Sequence, residues 1–192
     1  MANDVSKIIA GTPLVSGGVL IAPLGTALPA TPSVAPNVAF VSAGYIGEDG
    51  LTESGARSTD KKKDWRGTII KVLQTDFSLT YQFTFLESRQ TTVLKTVYGD
   101  ANVTVTTGTP TAGLIHSIVK NATVLPHKEF IFEMKDGLVK TRVVVPDGQI
   151  TEVGDITWSN SELVQYQVTL ECFPDASGNN AYEYTDDGIL VP

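Results

Sequence analysis

Two segments in which apolar and polar side chains alternate constrain the fold of this chain more than any other feature. Residues 78–86 place apolar side chains on one face of an extended chain, Leu79, Tyr81, Phe83 and Phe85. Residues 163–172 repeat the pattern with Val164, Tyr166, Val168, Leu170 and Cys172. A period of two residues is typical of a half-buried β-strand. We therefore predict a mainly β protein.

Further strands and turns fit this class. Apolar, β-branched runs predict strands at residues 38–43, 69–73, 103–106, 114–125, 130–134, 138–145 and 149–158. The dipeptides Asp136-Gly137 and Asp147-Gly148 supply the positive φ angles of type I′ turns, and they predict a meander of three strands. The result is a β-sandwich or a partly closed barrel.

One short helix is predicted to pack against the sheet. Ser88 is a good N-cap, Gly99 suits the C-terminal stop, and apolar residues at helical spacing share a face between them, Val93, Leu94, Val97 and Tyr98. A helix this short gains its stability from packing that face on a sheet.

The chain divides into two parts on composition. Residues 1–37 are rich in Ala, Pro, Gly, Ser and Thr, with one short strand at residues 19–22 and an extended connection at 29–37, and we predict an extended N-terminal arm. The arm is either a loose terminus or a segment that packs on a neighbouring subunit. We predict that residues 38–192 form one domain. A chain of 192 residues is long enough to bury a sizeable core.

A polar excursion separates the strand at residues 38–43 from the one that follows Trp65. It is too long for a hairpin turn, so we interpret residues 46–64 as a long loop between strands, functional or disordered. The run Lys61-Lys62-Lys63, between two aspartates, is either a solvated loop or a specific contact. Trp65 either closes the core or anchors an interface.

Composition excludes several classes. A net charge of −7 argues against a protein that grips phosphates, which needs clustered Lys and Arg. The single cysteine, Cys172, excludes an internal disulfide and is expected in the core. The start of the chain lacks the basic and apolar regions of a signal peptide, and prolines interrupt residues 8–30, so no membrane span is expected.

No catalytic or cofactor-binding motif is evident. His116 and His127 lie on different predicted strands without metal-ligand spacing, and there is no nucleophile elbow or phosphate-binding loop. A pair of catalytic carboxylates cannot be distinguished from an acidic surface by sequence. We therefore expect no catalytic residues, no metal, no cofactor and no enzymatic activity.

Five fragments in order carry a resemblance to a known family: residues 17–29, 44–52, 64–67, 81–87 and 93–99. They resemble the major tail tube proteins of long-tailed phages with non-contractile (siphovirus-type) tails, over roughly the first hundred residues. The resemblance implies a structural virion protein that stacks as hexameric rings into a tube, the conduit for DNA delivery. It also implies assembly in the host cytoplasm. The implied partners are further copies of the chain and the tape-measure, tail terminator and tail-tip proteins, while DNA passes without specific binding.

Under this hypothesis the excursion and the arm are the assembly elements. In a ring, an open sheet edge pairs with the next subunit, and head-to-tail stacking continues along the axis. We expect apolar residues of the arm to be buried only after association. The interface candidates are Leu20, Ile21, Leu24, Tyr45, Glu48, Asp49, Leu51, Arg57, Lys61, Lys62, Lys63 and Trp65.

Two alternatives remain open. The first is a tube subunit of a type VI secretion system or of a contractile tail. The second, from a different class, is a monomeric β-sandwich binding module, because sandwiches support many functions.

Overall fold

A computed structural model describes residues 7–14 and 18–189 of the chain. Within these ranges it contains eleven β-strands, one α-helix and a short 3-10 helix at Asp100–Asn102. The strands are β1 (Thr12–Pro13), β2 (Val19–Pro23), β3 (Val41–Ser42), β4 (Thr52–Lys63), β5 (Ile69–Phe85), β6 (Val103–Thr106), β7 (Ile115–Ile118), β8 (Lys128–Asp136), β9 (Val139–Val153), β10 (Tyr166–Cys172) and β11 (Tyr182–Asp186), and the helix is α1 (Thr91–Tyr98). The prediction of a mainly β protein with one helix is confirmed.

Nine strands form one antiparallel sheet. Its order is β3-β2-β8-β9-β10-β5-β4, with β1 also paired to β8 and β11 also paired to β9. Strand β9 joins the two sides of the sheet, because its first half pairs with β8 and β11 while its second half pairs with β10. Strands β6 and β7 form a separate two-stranded sheet. The large sheet does not close into a barrel, and the fold is sandwich-like.

The core consists of a large cluster and a smaller one. In the large cluster, the ring of Phe83 contacts Phe85 and Phe132 edge-on, with centroids 5.0 and 5.3 Å apart. The helix α1 adds Val93, Leu94 and Val97 to this cluster, as its apolar period predicts. The smaller cluster contains Ala22, Phe40, Ile131 and Val144. Cys172 is a buried core thiol, as expected, and burial raises its pKa to about 12.

The start of the helix differs from the prediction. Helix α1 begins at Thr91 after Gln90, not after Ser88, and no side chain caps it. The chain first turns, with the N–H of Gln90 bonded to the carbonyl of Glu87. The amide of Gln90 then donates to the carbonyl of Ser42, 2.8 Å away, which ties the helix to β3. Ser88 therefore lies outside the helix.

Only one of the two predicted turns exists. Asp136-Gly137 connects β8 to β9, and Gly137 has the positive φ that the turn requires. Asp147-Gly148 instead lies inside β9, where the pairing register shifts. An added Cβ at Gly148 would lie 2.9 Å from Leu170 and 3.1 Å from Phe130. The glycine therefore serves close packing within a bulged strand rather than a reversal of the chain.

The prediction of a long loop at residues 46–64 is wrong for most of that range. Residues 52–63 are strand β4, hydrogen-bonded to β5 along its whole length. The predicted strand at 69–73 is the beginning of β5, which continues without interruption to Phe85. The excursion is therefore one arm of a long β-hairpin.

Part of the predicted arm belongs to the sheet. Strand β2 pairs with β8, and Ile21 is only 3% exposed in the large core cluster. The expectation that Ile21 is buried only after association is therefore wrong, because β8 and the core cover it within one chain. Leu20 is half-buried beside the smaller cluster, while Leu24 remains more than half exposed. No helix in the described part of the chain is long and apolar enough to cross a membrane.

Candidate assembly surface

The hairpin formed by β4 and β5 extends beyond the body of the sheet. Thr52 pairs with Gln82 at its base, and Lys63 pairs with Ile69 near its tip. Strand β10 covers β5 only from Thr80 onward, so residues 69–79 have β4 as their only strand partner among the described residues. At about 3.3 Å per residue, these eleven residues project roughly 35 Å.

A tight turn closes the tip. One carboxylate oxygen of Asp64 accepts the backbone N–H groups of Arg66 and Thr68, at 2.9 and 2.8 Å. Gly67 has a φ of +85°, which a glycine adopts without strain. Local side-chain bonding of this kind favours turns, so the polar sequence at residues 64–68 is the reason that the hairpin reverses here.

The outer hairpin has no core of its own. Every residue of β4 is exposed, Trp65 is fully exposed, and Ile69, Ile70 and Val72 are about half exposed or more. A two-stranded ribbon is marginally stable alone in water. Exposed apolar side chains on such a ribbon indicate a surface that another protein covers.

The tip is positively charged although the chain is acidic. Residues 60–71 contain five basic and two acidic side chains, a net charge of +3. Because the whole chain carries −7, the remaining residues carry −10. Lys62 lies 2.5 Å from Asp60, but both side chains are about half exposed, so this pair contributes little to stability.

Buried and stacked side chains hold the base of the hairpin. The hydroxyl of Tyr81 donates to the carboxylate of Glu53 at 2.8 Å. Burial, and then the bond to Glu53, raise the pKa of Tyr81 far above its usual range, so the hydroxyl keeps its proton. Arg57 stacks 4.4 Å from the ring centre of Phe77 and donates to Gln74. Arg57, an interface candidate, is thus engaged within its own hairpin.

The chain that enters the hairpin carries four more of the predicted residues. Tyr45 is exposed, and Leu51 is half-buried against the large cluster. Glu48 and Asp49 are both exposed in a tight turn that the N–H of Gly50 closes by bonding to Gly47. The structure therefore brings Glu48, Asp49 and Leu51 together at the base, about 35 Å from Lys61–Lys63 and Trp65 at the tip.

A buried ion pair missed by sequence reasoning fastens the extended segment before β3. Arg142 on β9 bonds to Glu133 on β8, with Nε 2.9 Å from the carboxylate, and both side chains are buried. The same guanidinium donates to the backbone carbonyls of Thr31 and Val34 at 2.5 and 2.7 Å. One arginine thereby attaches residues 31–34 to the sheet. The sequence signal that could have indicated this ion pair is the presence of two charged residues within otherwise apolar strands.

The histidines form ordinary polar contacts. His116 lies 2.9 Å from the hydroxyl of Thr91, and Nδ1 of His127 lies 2.5 Å from a carboxylate oxygen of Asp147. No group of three or more potential metal ligands occurs within residues 7–14 and 18–189.

Comparison with known proteins gives a family. The sequence model of the family described as "Phage tail tube protein" matches residues 1–189. No curated protein matches the chain significantly. Among solved structures, the cap that terminates the tube of the anti-feeding prophage has a TM-score of 0.48 at 10% identity, covering 97% of this chain and 100% of that one. A chain of the sheath–tube complex of an extracellular contractile injection system has a TM-score of 0.47 at 8% identity, covering 96% and 100%.

Proposed function

The chain belongs to the phage tail tube protein family, and from this premise we propose that it polymerises as stacked hexameric rings into a phage tail tube. The tube is the conduit through which DNA leaves the virion. In this role the protein is a structural component of the tail and not an enzyme. The resemblance to siphovirus-type tail tube proteins supports the ring number of six and a non-contractile tail.

One observation carries this proposal, the hairpin of residues 52–85. It places residues 69–76, about 25 Å of mostly exposed ribbon with apolar side chains and a charged tip, outside the body of the domain. A free subunit gains little from ordering such a ribbon. In a tube, a neighbouring subunit buries it and stabilises the whole assembly.

An open sheet edge supplies a second kind of contact. Strand β4 pairs only with β5, so its other edge has no strand partner in the described chain. Pairing of such an edge with an adjacent copy adds backbone hydrogen bonds between subunits. Around a ring this pairing closes on itself, whereas stacking along the axis continues.

The charge of the subunit suits a conduit. Six copies at −7 each give a ring a formal charge of −42. A basic lining would hold DNA by counterion release, so an acidic or neutral lumen lets the duplex pass without specific binding. We propose that the +3 hairpin tip is used for subunit contacts rather than for contacts with DNA.

The remaining partners follow from the same role. A tape-measure protein would occupy the tube during assembly, and terminator and tip proteins would cover its two ends. Assembly would take place in the host cytoplasm and the product would reside in the virion tail. Exposed Leu24 and Tyr45 are proposed to contact neighbouring copies.

Excision of the outer hairpin tests the proposal. Gly55 and Leu79 lie directly opposite each other, so residues 56–78 can be replaced by Asn-Gly, which forms a two-residue hairpin turn. We expect the variant to fold, because little except Phe77 is lost from the core, and to remain unassembled where the wild type forms tubes. The control is Trp158→Ala, which changes an exposed residue outside the hairpin and should still form tubes.

Negative-stain microscopy and sedimentation velocity distinguish the outcomes. Tubes from the excised variant would contradict the proposed role of the hairpin. Uniform monomers from the wild type at high concentration would instead favour a monomeric binding module.

A further inference from the structure

A cleft of about 200 Å³ opens beside the base of the hairpin. The buried rings of Phe83 and Phe132 form its floor, and Ile46, Leu51 and Met134 line its sides. A cavity of roughly 150 Å³ lined by apolar side chains is large enough to hold benzene. The cleft therefore has both the room and the lining for one large apolar side chain.

The rim of this cleft is acidic. Glu48 lines the opening, and Asp49 follows it in the same exposed turn. Neither carboxylate forms an ion pair with any residue in the described ranges of the chain. An occupant that buries an apolar group in the cleft and places cations over the rim would neutralise both.

The tip of the hairpin has the complementary arrangement. Trp65 is fully exposed at the turn, with Lys63 before it and Arg66 directly after it. These two cations also lack a carboxylate partner within the described part of the chain. Tryptophan and arginine are the residues that most often dominate binding energy at protein interfaces.

We propose that Trp65 of one copy inserts into the cleft of a second copy, with Lys63 and Arg66 over Glu48 and Asp49. The occupant is a second copy, because the hairpin holds Trp65 roughly 35 Å from the cleft of its own chain. The inference rests on the proposed function and specifies its axial contact.

The proposed contact joins two different surfaces of the subunit. Each copy has one tip and one cleft at opposite ends of the hairpin, so the contact is heterologous. A heterologous contact whose operator does not close generates an open filament rather than a closed ring. The distance between successive subunits along the filament is then set by the hairpin, about 35 Å.

Engineered disulfide bonds test the geometry directly. In a Cys172→Ser background, Lys63→Cys beside Trp65 is combined with Glu48→Cys at the rim, which removes one cation together with its proposed partner and leaves Trp65 in place. The assembled protein is oxidised mildly with copper phenanthroline, and we expect a ladder of covalent dimers, trimers and longer species on a non-reducing gel. The matched control combines Lys63→Cys with Leu138→Cys, which is exposed at the β8–β9 turn outside the cleft, and should give no ladder.

Truncation of the aromatic side chain tests the energetics. Trp65→Ala should raise the critical concentration for tube formation at least about thirtyfold, as expected for an interface hot spot. Trp158 is the other tryptophan and is also largely exposed, so Trp158→Ala serves as the control and should leave that concentration within about threefold of the wild type. Equal effects of the two substitutions would overturn the specific role of Trp65.

Charge exchange tests the rim. Glu48→Lys and Lys63→Glu should each weaken assembly, and their combination in one chain should restore it. This inference alone would be overturned if the wild type formed tubes while the double-cysteine variant gave no ladder and Trp65→Ala assembled at the same critical concentration as the wild type. Failure of the wild-type chain to assemble at any concentration would contradict the proposed function.

Discussion

Replacement of Arg142 by methionine should destabilise the domain strongly. Methionine retains much of the buried aliphatic volume but removes the charge, so Glu133 is left as an unpaired buried carboxylate. The carbonyls of Thr31 and Val34 lose their donor at the same time. Residues 31–34 then lose two of the hydrogen bonds that hold them on the sheet, while the exposed bond from Ser33 to Asp186 on β11 remains.

The magnitude follows from the burial of the pair. Removal of one partner of a buried ion pair costs about 3–5 kcal/mol, because the other charge stays in a low dielectric. Native domains are stable by only about 5–15 kcal/mol in total. For a chain of this size each kcal/mol shifts the Tm by about 2–4 °C, so a fall of roughly 6–20 °C is expected.

A double variant separates the charge effect from the packing effect. In Arg142→Met combined with Glu133→Leu, no buried charge remains, and replacement of both partners by apolar groups is often nearly neutral. The loss that remains comes from the two carbonyls, at about 1 kcal/mol each. Urea denaturation followed by circular dichroism gives both free energies of unfolding. A loss below about 1 kcal/mol in the single variant, or equal losses in the two variants, would show that the unpaired charge of Glu133 does not cause the destabilisation.

Three further predictions concern single sites. The carboxyl of Glu129 is buried, and desolvation raises its pKa above 4.5, so the folded state binds its proton more tightly than the unfolded state. Stability should therefore fall as the pH rises from 4.5 through the raised pKa, and Glu129→Gln should flatten this slope in urea titrations at several pH values. Gly44→Ala should cost more than about 1 kcal/mol in urea unfolding, since Gly44 has a φ of +78° and an added Cβ would lie 2.1 Å from the carboxyl of Glu87. The Cys172 thiol, with its pKa raised to about 12, should react with iodoacetamide only as fast as the domain unfolds, and rapid labelling of the native protein would contradict its burial.

The half-buried strands were predictable from sequence because burial imposes a period of two. Residues 79–85 of β5 and Tyr166–Cys172 show this period and lie in the sheet. The apolar face of helix α1 was predictable because burial of one side of a helix imposes a helical period, and Val93, Leu94 and Val97 pack on the core. An element that is buried on one face and exposed on the other shows a periodic pattern of apolar residues in its sequence.

The outer hairpin could not be predicted in this way. Strand β4 is exposed on both faces, so its side chains carry no apolar period, and its glycine and charges resemble a loop. Its regularity comes from backbone pairing with β5 and from the turn at Asp64. The turn at Asp147-Gly148 was predicted wrongly because close packing against Leu170 and a hairpin turn both favour glycine, and the sequence does not distinguish between them.

The residues of the assembly surface were partly predictable. The sequence indicated exposed charge at Lys61–Lys63 but left Trp65 open between the core and an interface, and the structure places all four at the hairpin tip. Ile21 was misassigned because its apolar neighbours along the chain do not show that β8 covers it. The cleft at Leu51 depends on contacts between residues distant in sequence, so no local pattern could indicate it.

Cryo-electron microscopy of purified wild-type protein, concentrated until it assembles, gives a three-dimensional reconstruction of the assembly itself. We expect a hollow tube of sixfold rings, with the hairpin of residues 52–85 bridging each subunit to the next ring. A population of single subunits at every concentration, or a closed oligomer whose hairpins contact only solvent, would contradict the proposed tube.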